Sequence, residues 1–340
     1  MATKRIEYID AMRGFTMILV VYSHICRYCL GDWTMGGNDV FFLFRLPCFF
    51  FISGWLFGQV GRQWNSVTIH LTIKHKFMVQ IVPTVIFLFL LAPPPLFFSK
   101  LGATKGGYWF TFALFEFFVL YIFSERFLKK WSGVFAFVIS ALAFFYDIYY
   151  SLYFKNMGLL TDALGFLSFM TWRYFMFFYI GTWVKRHFDD FISWTKKPSI
   201  IVPVVIGFAL LAWHPHAENG ALAYLVFAIG GILGLTMLFT FFRFLYSNPR
   251  LLPLTSHLSP LKYIGSRTLD IYLLHYFVLP RFLLFHKDNM LIYDSRAWEF
   301  LIALLLALAV IAVCLLVSYI IRLSPFLGHY LFGVKYERHQ

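Results

Sequence analysis

Residues 13–30 read Arg13-Gly14-Phe15-Thr16-Met17-Ile18-Leu19-Val20-Val21-Tyr22-Ser23-His24-Ile25-Cys26-Arg27-Tyr28-Cys29-Leu30, and this stretch decides the fold. From Gly14 onward it is apolar enough to cross a bilayer as a helix. Yet it carries Arg13 at its lip and His24 within, both residue types that hydrocarbon penalises. Eleven helical steps of about 100° return to within about 20° of the starting direction, while a rise of about 1.5 Å per residue separates the two by ~16 Å. One stripe of one helix therefore carries a fixed cation near one face of the membrane and a titratable imidazole at depth. Such a stripe can hold an anionic donor at its mouth while a base works further in. Taken singly, Arg13 also reads as a positive-inside anchor and His24 as a hydrogen-bonded interhelical residue.

Working outward, the whole chain has the same character. Over 340 residues it is 60% hydrophobic and 13% charged, far from the ~45–50% apolar and ~25% charged of soluble domains. Ten apolar stretches, at 14–30, 40–58, 77–92, 108–124, 131–150, 164–184, 199–213, 221–242, 269–285 and 298–321, predict an all-α polytopic bundle of about ten spans. The reading is one integral membrane domain over 1–340, with no soluble domain, and with the first span retained because no small-x-small cleavage site follows it. An even count puts both termini on one side. Placing them in the cytoplasm leaves most of the 29 lysines and arginines inside, which predicts N-in and C-in. That anchoring, with any anionic ligand at the inner face, accounts for the net charge of +13, so no nucleic-acid partner is implied.

Punctuation is sparse. Pro93-Pro94-Pro95 ends the third stretch and Pro83 kinks it, while Gly230, Gly231 and Gly234 let the eighth pack closely. Residues 243–268, with three prolines, form the longest cytoplasmic connection and a candidate inner vestibule. Metal and redox readings are weak. His24, Cys26 and Cys29 do not converge on a helix, since the cysteines fall about 200° and about 500° around from the histidine. His214-Pro215-His216 has only Glu218 beside it, and Cys26, Cys29, Cys48 and Cys314 read as buried free thiols. No phosphate loop, nucleophile elbow or dinucleotide fingerprint occurs.

The second stretch contains Phe49-Phe50-Phe51-Ile52-Ser53-Gly54. Asp10 and Arg13-Gly14 open the first, Tyr108-Trp109-Phe110 the fourth, Phe177-Phe178-Tyr179-Ile180-Gly181 close the sixth, and Ile264-Gly265-Ser266 lead into Ile271-Tyr272-Leu273-Leu274-His275. This pattern, Arg-x10-His followed by Phe-Phe-x-x-Ser-Gly, resembles the acyltransferase-3 family of integral membrane acyltransferases over nearly the whole chain. The resemblance implies a ten-helix bundle, in a bacterial inner membrane, that moves an acyl group from cytoplasmic acyl-CoA, acetyl-CoA first among the candidates, to a glycan or lipid-linked sugar. One departure stands out. Relatives often place Arg-x-x-Arg at the start of the third helix, where this chain has Lys74-His75-Lys76-Phe77. Lysine gives phosphate a point charge without the bidentate fork, so Lys74 and Lys76 are either donor-phosphate ligands or a solvated loop.

The chemistry distributes as follows. His24 suits the general base, Arg13 the coenzyme A diphosphate, and Ser53 either the thioester region or a carbonyl of its own helix. Glu116, flanked by Phe115 and Phe117, needs a partner, with Arg45 or Arg173 the candidates, and such a cluster either lines an acceptor cleft or braces the bundle. His275 is a second candidate to line the site, and Asp10 a candidate to orient Arg13. The rival to an O-acyltransferase is a carrier exporting glycan or lipid without acyl-transfer chemistry.

Overall fold

The computed structural model describes residues 6–58, 61–92, 96, 105–150, 153, 158–213, 220–251, 253, 255, 257–283 and 295–334. Pro93-Pro94-Pro95 and His214-Pro215-His216 lie outside them. Among the described residues there is no strand. The α-helices run α1 Glu7–Tyr28, α2 Asn38–Phe57, α3 Ser66–Lys76, α4 Val82–Leu91, α5 Trp109–Phe123, α6 Ser132–Tyr149, α7 Leu159–Phe166, α8 Phe175–Arg186, α9 Phe188–Trp194, α10 Pro198–Trp213, α11 Gly220–Ser247, α12 Ser259–Ser266, α13 Thr268–Val278, α14 Arg296–Arg322 and α15 Pro325–Phe332.

Among the described residues, six helical segments are long and apolar enough to cross a membrane, namely Glu7–Tyr28, Met35–Phe57, Ser66–Leu91, Trp109–Tyr149, Gly220–Ser247 and Arg296–Arg322. The number rises to eight if Leu159–Phe166 with Phe169–Arg186, bent by 49°, and Phe188–Trp194 with Pro198–Trp213, bent by 77°, each count as one span. α14 shows why these are membrane helices. Four of its six buried positions are small, Ala303, Ala307, Cys314 and Ser318, beside Val310 and Ile311, while Leu301, Leu305, Val313, Leu316 and Ile320 are exposed. Mostly small residues inward and a row of bulky aliphatics outward is the pattern of a helix whose solvent is lipid. The protein is an integral membrane protein.

Several expected boundaries shift for identifiable reasons. α1 starts at Glu7 rather than residue 14, because Glu7 and Asp10 in its first turn suit a helix N-terminus; Arg13 thus lies inside the helix and not at its lip. The third stretch begins at Ser66 rather than Phe77. Asn65 caps it, its side chain accepting from Thr68 N at 2.8 Å while Asn65 N donates to Thr68 Oγ1 at 3.0 Å. Lys74 and Lys76 are therefore helical and not in a loop. A π-turn, Phe77–Ile81, joins α3 to α4 one turn before Pro83, which has no N–H to return to the preceding turn. The sixth stretch breaks at Ser168, left-handed at φ 52°. The ninth stops at Val278, and the proline-bearing 243–268 connection contains α12 instead of being loop throughout.

The chain divides into two compact units: Met1–Ile52, Phe188–His216 and Val226–Tyr319 form the first, and Ser53–His187, Ala217–Leu225 and Ile320–Gln340 the second. In the first, α1 is buried on nearly every face, as an all-round apolar helix must be. It crosses α12 at two glycines: a Cβ on Gly14 would stand 2.0 Å from the carbonyl oxygen of Leu261, and one on Gly265 1.9 Å from that of Asp10. Lys262 Nζ donates to Glu7 Oε2 at 2.9 Å at the end of this contact, and that hydrogen bond raises the pKa of Lys262. Ser318 Oγ donates to the buried Asp270 at 2.5 Å, tying α14 to α13. In the second unit, Phe57, Phe118, Tyr121 and Phe178 form an aromatic core in edge and tilted contacts.

Candidate active site

The continuity of α1 keeps Arg13 and His24 about 16 Å apart along one axis. His24 Nδ1 lies 2.7 Å from Nε2 of His275 on α13. Their ring centroids are 4.9 Å apart with 22° between planes. A face-to-face stack would hold ring atoms near 3.5 Å, so the two imidazoles meet edge to edge, nearly coplanar, through their nitrogens. His275 has 0% exposure, whereas His24 is only half-buried. His275 Nδ1 donates to the carbonyls of Tyr272 at 2.7 Å and Ile271 at 3.2 Å. Tyr276 flanks both rings, its centroid 4.1 Å from His275 and 5.3 Å from His24, and Tyr28 closes the side of His24 at 5.6 Å.

Two cations act on His24, Arg27 and Arg45. Arg27 lies over the Trp33 ring at 4.1 Å. Arg45, 4% exposed, donates from Nη1 to Asn38 Oδ1 at 2.9 Å, and Asn38 Nδ2 donates to Trp33 O at 2.6 Å. Arg45 and Asn38 are seven residues apart on α2, two helical turns on one face. Arg13, His24, Arg45 and His275 thus all belong to the first unit, and His24 and His275 touch.

Ser53, Lys74, Lys76, Glu116 and Arg173 belong to the second. Lys74 is exposed. Lys76 turns inward, its ammonium 4.3 Å over Phe118 and 5.5 Å over Phe57. Two cations unmarked by the sequence reading share this unit. Arg62 Nη2 donates to Thr72 Oγ1 at 2.5 Å and stacks on Trp64, and Lys185 lies 3.7 Å over Trp55. Ser53 is half-buried beside Gly54.

Glu116 takes neither expected arginine. Trp172 Nε1 donates to its Oε2 at 2.7 Å, and the cation acting on it is Lys105. Arg173 pairs instead with Asp147 and Arg45 with Asn38. Lys105, 3% exposed, donates to Phe166 O at 2.6 Å, and burial draws its pKa below the lysine range against the opposing pull of Glu116. Asp147 is a lone acid in the apolar stretch 131–150, so the rule that marks Glu116 also marks it. Among the described residues, no group of three or more His, Cys, Asp and Glu could hold a metal ion.

The sequence model of the acyltransferase-3 family, an acyltransferase domain, matches residues 6–323. The chain belongs to the acyltransferase-3 family. No curated protein and no solved structure matches it. The matched residues of this acyltransferase run from the start of α1 to the end of α14 and include every candidate above. In an acyltransferase, a half-buried imidazole supported from behind by a wholly buried one is suited to proton transfer, and buried guanidinium groups to holding anionic oxygens.

Proposed function

We propose that this acyltransferase transfers a short acyl group, acetyl first among the candidates, from cytoplasmic acyl-CoA to a hydroxyl of a glycan or lipid-linked sugar in a bacterial inner membrane. The observation that carries the reading is His24 itself: a half-buried imidazole, in hydrogen-bond contact through Nδ1 with His275, on the helix that also bears Arg13. His24 would take the proton of the acceptor hydroxyl as its oxygen attacks the thioester carbonyl. The tetrahedral intermediate would then collapse, breaking the carbon–sulfur bond, and the leaving thiolate would recover the proton from the imidazolium. Arg45 would offset the developing oxyanion charge. Arg13 would pair with the donor diphosphate, Lys76 would add charge to the donor phosphates with Lys74 in a lesser part, and Ser53 would lie toward the thioester. Glu116 and Arg173 would serve the acceptor. The topology that fits this traffic is ten spans with both termini cytoplasmic, in one domain.

The test is turnover of labelled acetyl-CoA by protein purified into nanodiscs, with released thiol and transferred label both counted. His24→Ala is expected to abolish both while still binding donor, and Arg13→Ala to weaken donor binding by about 2–4 kcal/mol. Movement of glycan without thioester consumption would instead favour the carrier. Donor affinity unchanged in Arg13→Ala would remove the anchor assignment.

A further inference from the structure

We infer that His275 is a positioning residue that fixes the tautomer of His24, leaving the Nε2 lone pair of His24 as the reacting base. The inference rests on the reading of His24 as base and adds a role the sequence motif does not supply.

The argument is one of donor and acceptor capacity. A backbone carbonyl only accepts, so the two carbonyls facing His275 Nδ1, of Tyr272 at 2.7 Å and Ile271 at 3.2 Å, place a proton on that nitrogen. Neutral imidazole has one N–H, and the Nε2 of His275 is then an acceptor. The nitrogen facing it at 2.7 Å is His24 Nδ1, which must donate. His24 therefore carries its proton on Nδ1, and its lone pair sits on Nε2. A proton on His275 Nε2 would reverse the bond and move the His24 lone pair to the nitrogen already in contact, where no substrate can reach it.

Burial agrees with this division of labour. His275, at 0% exposure, has its two ring nitrogens engaged by α13 carbonyls and by His24, so no ring nitrogen is left to touch a substrate. His24 has one engaged nitrogen and is only half-buried. A carboxylate commonly plays the orienting part in such chains. In a membrane interior a neutral imidazole, itself oriented by helix carbonyls, performs the same task without introducing a second charge.

The test pairs two substitutions with a spectroscopic reading. His275→Asn keeps an amide donor near the helix carbonyls but lacks an acceptor at the Nε2 position. His275→Gln places an amide oxygen near it. Imidazole nitrogen-15 spectra of histidine-labelled protein in nanodiscs, assigned by comparison with His24→Ala, distinguish Nδ1–H from Nε2–H. The wild type and His275→Gln are expected to show His24 as Nδ1–H. His275→Asn is expected to lose that signature and to lower kcat about 10²–10⁴-fold, with donor KM within about threefold. His275→Gln is expected to recover much of the rate. A wild-type His24 found as Nε2–H overturns the inference, as does His275→Asn turning over at the wild-type rate. Should His275→Asn fail to fold, the wild-type and His275→Gln spectra still decide the matter. Because the spectra require no turnover, failure of the acyl-transfer reading and failure of this one are separately visible.

Discussion

Gly54 lies so close to Phe178 that a Cβ on it would stand 2.0 Å from the Phe178 carbonyl oxygen. The Phe-Phe-x-x-Ser-Gly segment of α2 and the Phe177-Phe178-Tyr179-Ile180-Gly181 segment of α8 are therefore in backbone contact, and glycine is the only residue that fits between them. Gly54→Ala should force the two helices apart and lower stability by about 1–3 kcal/mol. Gly165, with nothing within 4 Å, provides the control. Gly165→Ala should be neutral or stabilising by up to about 1 kcal/mol. Melting of the two purified variants in one detergent checks both, and equal loss in each would remove the contact argument.

The two lysines of the third span should separate experimentally. Lys76 covers two aromatic rings whereas Lys74 faces outward. Lys76→Ala is expected to lower stability by roughly 0.5–2 kcal/mol and to weaken donor binding. Lys74→Ala should leave stability within about 0.5 kcal/mol of wild type. Calorimetric titration with a non-reactive acyl-CoA analogue, beside melting curves, reads both quantities.

Glu116 holds the Trp172 indole. Glu116→Gln keeps an oxygen for that N–H and removes the charge that acts on Lys105, so melting should change little. If the carboxylate serves the acceptor, acceptor KM should rise several-fold at unchanged donor KM. Trp172→Phe removes the N–H and strands a half-buried carboxylate, costing about 1–3 kcal/mol. Equal stability losses in the two variants would count against the hydrogen bond as their common element.

Alkaline pH probes the α1–α12 contact. The pKa of Lys262 is raised by Glu7 from its ordinary 10.5. A cation with a raised folded pKa lends its full stabilisation below the unfolded value and loses it as pH climbs through the folded one. Both groups face solvent, so the effect is about 0.2–1 kcal/mol and fades with salt. Melting of wild type and Lys262→Gln from neutral to strongly alkaline pH should converge at the alkaline end.

Hydropathy made the apolar stretches legible because it reports what lipid demands. It missed Ser66 to Lys76 because that run is polar, although the Asn65 cap was written locally in the sequence. It likewise began α1 too late, since Glu7 and Asp10 lower hydropathy while favouring a helix N-terminus. The left-handed Ser168 leaves no mark in composition. His24 was legible as a costly residue in a costly place, but its contact with His275 joins positions 251 apart and obeys no local period. The partners of Glu116 were misread because the arginines within apolar stretches drew attention, whereas an indole N–H bonds the carboxylate and the cation acting on it, Lys105, lies before its helix begins.

Cys26, Cys29, Cys48 and Cys314 are all free and buried. Thiolate reagents need access as well as ionisation, so the native chain is close to a blank background for maleimide labelling. A cysteine placed singly in any hydrophilic connection would report which side of a sealed vesicle that connection faces, without first stripping the protein of its own thiols.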